Sequence, residues 1–311
     1  MPRRPNKKRA AVFISHSSVN LEDAKQVETA LNTEGFDAWL DDSDIRVGVL
    51  LGKELQQAIE ASRAVVLIWS EAAQKSPWVT TEILTAFHLN RFILPYALDA
   101  TEFPQFLSRS IHGDLRKDQA AALEKLAQDI EQAPRARNEF TGGDVVYQPP
   151  ELKKIIEDLD ARQRTIGDRV DSNDLAGAEK LQKELDVKMF AAENSRWKDD
   201  PTILSLAGYH RKNAYMIKHW DQYCAGEFPK DDLLGESRSW FFQSLLKNPL
   251  DYNALNGLGN IFLFQGELNA AEFFVSNAIK CAKEKGVNYR EAKHDLALIQ
   301  RRYWGTKSRK G

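Results

Sequence analysis

The sequence predicts an α/β fold, a flavodoxin-like parallel five-stranded sheet, followed by an all-α helical-repeat domain. Three features predict it. Between Ala11 and Ala133, short β-branched or aromatic runs alternate with helical stretches, the pattern of a parallel sheet covered on both faces. From Pro134 to Pro150, Thr141-Gly142-Gly143 and a closing Pro149-Pro150 break that periodicity and read as a linker. From Glu151 onward the pattern is helical.

Strands fit Ala11 to Ser15, Phe36 to Leu40, Ala64 to Trp69 and Arg91 to Leu98, with a weak fifth near His112 to Leu115. Helices fit Leu21 to Glu34, closed by Gly35, then Leu51 to Ser62, Pro77 to Asn90 and Asp118 to Gln132. Right-handed crossovers among such units place strand one between strands two and three, and ligands bind outside the carboxyl ends of those two inner strands. Those ends are the loop Ser15-His16-Ser17-Ser18 and the loop from Ser70 into the helix that opens at Pro77. The expected organisation is a basic disordered leader (1–10), the α/β domain (11–133), the linker (134–150), the helical domain (151–305) and a basic tail (306–311).

In the helical part, Leu255, Leu258-Gly259, Phe262, Gly266, Ala271 and Ala278 fall at tetratricopeptide offsets, with Leu255 in place of tryptophan and Val275 in place of phenylalanine. Ser237, Phe241 and Pro249 fit the second helix of a preceding repeat, whose first helix is Ile203 to Ile217 with an insertion after it. A generic helical bundle is the alternative.

Composition narrows the function classes. The chain has 311 residues and a net charge of −2, but ten basic residues lie before residue 11 or after residue 300; without them 33 basic face 45 acidic residues, a body of −12. Nucleic acid and an anionic membrane are therefore not expected partners. The apolar runs are too short for a membrane span or signal peptide, so a cytoplasmic protein is expected. Cys224 and Cys281 read as reduced thiols, and no metal-ligand spacing occurs among the Cys and His residues.

Ser76-Pro77-Trp78-Val79-Thr80-Thr81-Glu82 is the most informative segment. Ser76 is an N-cap and Pro77 suits the first helical position, so the register is fixed. Trp78 and Glu82 share a face. They flank an apolar stripe of Val79, Ile83, Ala86 and Phe87, so Glu82 is expected beside the core, either as a rim carboxylate or as a functional one. Val79 occupies the capping-box position, so capping does not account for Glu82.

Several chemistries are absent. Gly48 to Lys53 has three residues between its glycines where a phosphate-binding loop needs four, and Glu54 stands where Ser or Thr would hold magnesium. No G-x-G-x-x-G follows the first strand, no G-x-S-x-G elbow occurs, and Ser70 replaces the aspartate a phosphoacceptor receiver would carry after strand three.

Phe13-Ile14-Ser15-His16, then Asp41-Asp42-Ser43-Asp44-Ile45-Arg46-Val47-Gly48, then Ser76-x-Trp78-x-x-x-Glu82 resemble, in order and spacing, the three signature regions of Toll/interleukin-1 receptor (TIR) domains. The resemblance covers residues 10 to 133, and coupling to a tetratricopeptide-like region resembles the bacterial branch. It implies NAD cleavage to nicotinamide and ADP-ribose or a cyclic isomer, with Glu82 catalytic and NAD as substrate rather than cofactor. It also implies NAD contacts at Ser17, Ser18 and Arg46, self-association through the loop after strand two, and a role in antiphage or immune signalling. His16 is placed to meet nicotinamide and Trp78 to pack on a substrate ring. Each has a plain alternative: helix capping for the two serines, a surface arginine, a structural histidine and rim packing for the tryptophan. The two serines depart from relatives that carry basic residues there. The helical domain is expected to take a protein or small-molecule trigger. The competing classes are a non-catalytic TIR adaptor and a nucleoside deoxyribosyltransferase-like enzyme.

Overall fold

A computed structural model describes residues 11–40, 52–110, 112–140 and 148–307. The chain divides into two compact units, Met1–Thr141 and Gly142–Gly311.

Among its described residues the first unit holds five strands, β1 (Ala11–Ser15), β2 (Asp37–Leu40), β3 (Ala64–Trp69), β4 (Ile93–Ala97) and β5 (Gly113–Asp114). All neighbours pair in parallel, in the order β2-β1-β3-β4-β5. This is the expected flavodoxin-like order. β3 is central and apolar at every position, and all six of its residues are buried, as a strand covered on both faces requires. The helices are α1 (Leu21–Thr33), α2 (Lys53–Ala61), α3 (Glu71–Lys75), α4 (Pro77–His88) and α5 (Gln119–Gln132). Gly35 ends the first crossover at φ +86°, a left-handed conformation that costs glycine no Cβ clash.

Three elements differ from expectation. α3 occupies what reads as loop after Ser70, capped by Ser70 Oγ accepting from Ala73 N at 3.1 Å. A short 3-10 helix (Ser18–Asn20) precedes α1. The fifth strand shrinks to two residues, one of which, Gly113, leaves room for the Tyr96 ring; a Cβ there would lie 2.0 Å from it. The start of the expected linker is tied to the sheet: Asn138 is buried, accepts from Ile93 N at 2.8 Å and donates to Ile93 O at 2.9 Å.

The second unit is entirely helical among the described residues: α6 (Pro150–Asp171), α7 (Leu175–Glu193), α8 (Pro201–Lys218), α9 (Trp220–Ala225), α10 (Asp232–Lys247), α11 (Tyr252–Phe264), α12 (Leu268–Glu284) and α13 (Arg290–Lys307). Asp174, Asp200, Asp231 and Asp251 cap α7, α8, α10 and α11 through their carboxylates. α6 packs on α7, α8 on α10 and α11 on α12, with α9 as the insertion after α8. Leu255, Leu258, Phe262, Ala271 and Ala278 are all fully buried. Close approach depends on glycine: a Cβ at Gly259 would lie 2.5 Å from Val275, and one at Gly257 2.3 Å from the Phe241 ring.

Candidate functional site

The site is built where β1 and β3 end. Ser76 caps α4 by accepting from Val79 N at 3.3 Å, and Pro77 holds the first turn. α4 then packs against β1, β3 and β4 and against α2 and α3. Enclosed in this way, every residue from Val79 to His88 is buried. This corrects the expectation that Glu82 flanks the core: it is 1 % exposed and belongs to the interior, because α2 and α3 add cover beside the sheet.

Helix α4 carries its polar residues inward by satisfying them locally. Thr80 Oγ1 donates to Ser76 O at 3.1 Å and Thr81 Oγ1 to Pro77 O at 2.8 Å. Thr85 is fully buried and its hydroxyl finds no hydrogen-bond partner among the described residues. Replacing it by the isosteric valine is expected to stabilise the protein by about 1 kcal/mol, read from denaturant unfolding, since a buried unpaired hydroxyl costs about 1–3 kcal/mol.

Glu82 has a defined partner. Ser15 Oγ donates to Glu82 Oε2 at 2.5 Å, joining the last residue of β1 to the second turn of α4. Both side chains are buried. A hydrogen bond of this length fixes the orientation of the Glu82 carboxyl group. The loops after the two strands are also joined: Ser70 Oγ donates to Asn20 Oδ1 at 2.7 Å. A carboxylate buried at the carboxyl end of a parallel sheet lies beside the place where such folds bind ligands, and is suited to stabilising positive charge that develops on one.

The other named residues divide as follows. His16 and Ser17 follow Ser15 directly and are buried, at 6 % and 5 % exposure, while Ser18 is exposed and Trp78 half-buried. Neither serine serves as a side-chain cap of α1: Ser17 precedes the 3-10 helix without a side-chain capping bond, and Asn20 stands at the N-cap of α1. Arg46 and the whole segment Asp41 to Gly48 lie outside the described residues. Ser15 is the residue sequence reasoning missed; its place at the end of the first strand was the available signal. Among the described residues no group of three or more His, Cys, Asp or Glu is arranged to hold a metal, and no helix is long and apolar enough to cross a membrane.

Comparison with known proteins agrees with this architecture. Residues 12–127 match the TIR domain family, and this part of the chain is a TIR domain. Over 100 residues the chain is 35% identical to a protein of Methanobrevibacter olleyae named probable 2′ cyclic ADP-D-ribose synthase TcpO; the match spans 31% of this chain and 29% of that relative. The chain therefore covers less than a third of the relative's length. No solved structure gives a significant match.

Proposed function

We propose that this protein cleaves the bond between nicotinamide and ribose in NAD, releasing nicotinamide and ADP-ribose or a cyclic isomer, with Glu82 as the catalytic carboxylate. The observation that carries this is the Glu82 carboxylate, buried and held by Ser15 at the end of β1 in a TIR domain. The relative named as a cyclic ADP-ribose synthase supports the substrate class.

The chemistry needs only one acid group. Nicotinamide leaves a cationic pyridinium as a neutral molecule, so no proton has to be delivered to it, unlike the leaving group of an ordinary glycoside. Positive charge instead develops on the ribose, and a carboxylate beside that carbon stabilises it and orients the water or ribose hydroxyl that captures it. NAD acts as substrate, not as cofactor. His16, Ser17, Ser18 and Arg46 are the proposed NAD contacts, and Trp78 covers a substrate ring. The serines supply neutral hydrogen bonds only.

Ser15 acts as a positioning residue. Ser15→Ala removes the donor that orients the carboxylate and is expected to lower kcat about tenfold with little change in KM, in steady-state nicotinamide release. Self-association is part of the proposal: edge strand β2 presents a partly exposed Trp39, and the loop after it completes a neighbour's site. In this reading the helical unit controls assembly in response to a trigger, and the setting is cytoplasmic antiphage or immune signalling. Nicotinamide release measured across protein concentration, with a crowding agent added, tests the whole: specific activity rises with concentration, whereas absence of release in the assembled protein overturns it.

One observation favours a second reading. Glu82 and Ser15 are both closed off from solvent, as they would be in a non-catalytic TIR adaptor whose carboxylate only ties α4 to β1. That reading requires wild type and Glu82→Gln to be equally inert toward NAD.

A further inference from the structure

A cavity of about 370 Å³ opens between α7, α8 and α10 of the helical unit, within the size range of small-molecule sites. One side is apolar. Met189 is fully buried there, Leu233 is half-buried, and Phe190 stands 69 % exposed at the mouth, a large aromatic surface left for a ligand to cover.

The opposite side is polar and already ordered. Arg211 pairs with both carboxylate oxygens of Glu193, and its guanidinium lies 5.3 Å from the Trp240 ring. Its charge is thereby answered. His210 Nε2 lies 2.8 Å from Asp186 Oδ1, and Arg211 Nη1 donates to His210 Nδ1 at 3.2 Å, a pair of contacts that fits the Nε2–H tautomer. Burial first, and then the neighbouring guanidinium, hold the imidazole below the ordinary histidine range, so it is neutral at pH 7. Three carboxylates, Asp186, Glu193 and Glu236, thus face one cation, and the cavity keeps an excess of negative charge. Glu236 is the least engaged of them: its nearest ion-pair contact is Arg211 Nε at 3.8 Å, and its side chain is 56 % exposed.

We infer that this cavity binds a small organic cation, an ammonium or guanidinium carried on an apolar body, with the charge at Glu236 and the body against Phe190, Met189 and Leu233. Charge complementarity selects the cation, and the apolar wall selects against small inorganic ions, which have nothing to place on it. The site is lined wholly by residues of the helical unit.

Calorimetric titration of the full chain with 4-phenylbutylamine, and separately with neutral 4-phenylbutanol, tests the inference. The amine is expected to saturate one site and the alcohol to bind about tenfold more weakly or not at all. Glu236→Gln and Phe190→Ala change exposed side chains, so both variants fold, as circular dichroism verifies; each is expected to weaken the amine about fivefold, and added salt to weaken it further. Equal binding of amine and alcohol, amine affinity unchanged in Glu236→Gln, or no saturable binding at millimolar amine overturns the inference.

Discussion

Glu82→Gln is expected to remove nearly all nicotinamide release, about 10²–10⁴-fold in kcat, while the protein still folds. The amide keeps the shape of the side chain and an oxygen able to accept from Ser15 Oγ, so the 2.5 Å link between β1 and α4 has a neutral replacement. What it lacks is the negative charge that opposes a developing sugar cation. Burying a carboxylate at 1 % exposure is itself unfavourable, so the glutamine variant should be at least as stable as wild type in chemical denaturation. Gain of stability with loss of activity is the pattern of a group retained for chemistry. Glu82→Ala is less informative, because it leaves the Ser15 hydroxyl unpaired in the interior and costs about 2–3 kcal/mol through cavity and lost hydrogen bond.

Phe241→Ala carries the largest effect on stability, about 3–5 kcal/mol, as a melting temperature lowered by many degrees. Its ring is fully buried where α8, α10 and α11 meet. Two glycines admit it: Cβ atoms at Gly208 and Gly257 would lie 2.7 and 2.3 Å from ring atoms. Ser237, one turn earlier on α10, donates to Gly208 O at 2.8 Å and fixes the same crossing. Gly257→Ala should fail by the opposite route, pushing the ring off its seat at about 1–3 kcal/mol. Nicotinamide release at a temperature well below the transition tests whether the helical unit's integrity governs activity.

Legibility followed the range of the interactions. β3 was readable to the residue because a strand buried on both faces needs an unbroken apolar run, Ala64 to Trp69. The paired helices α11 and α12 were readable from Leu258-Gly259, Phe262, Ala271 and Ala278, since close helix approach demands small residues at fixed offsets. α3 was not: five residues from Glu71 to Lys75 are too few to show a period. The burial of Glu82 was hidden for a different reason. A helix covered on several sides has no simple stripe, and the inward threonines of α4 disguise it by bonding to the carbonyls of Ser76 and Pro77. Its contact with Ser15 spans 67 positions in sequence and depends on the sheet order, so only the fold reveals it. The cavity between α7, α8 and α10 is similarly assembled from three separated segments.

The most direct test is a crystal structure of the assembled protein with carba-NAD, whose nicotinamide–ribose bond resists cleavage. The account predicts the Glu82 carboxylate within hydrogen-bond distance of the ring that replaces ribose, with Ser17 contacting the same ligand. Analogue bound elsewhere, with the Glu82 carboxylate out of its reach, would contradict it.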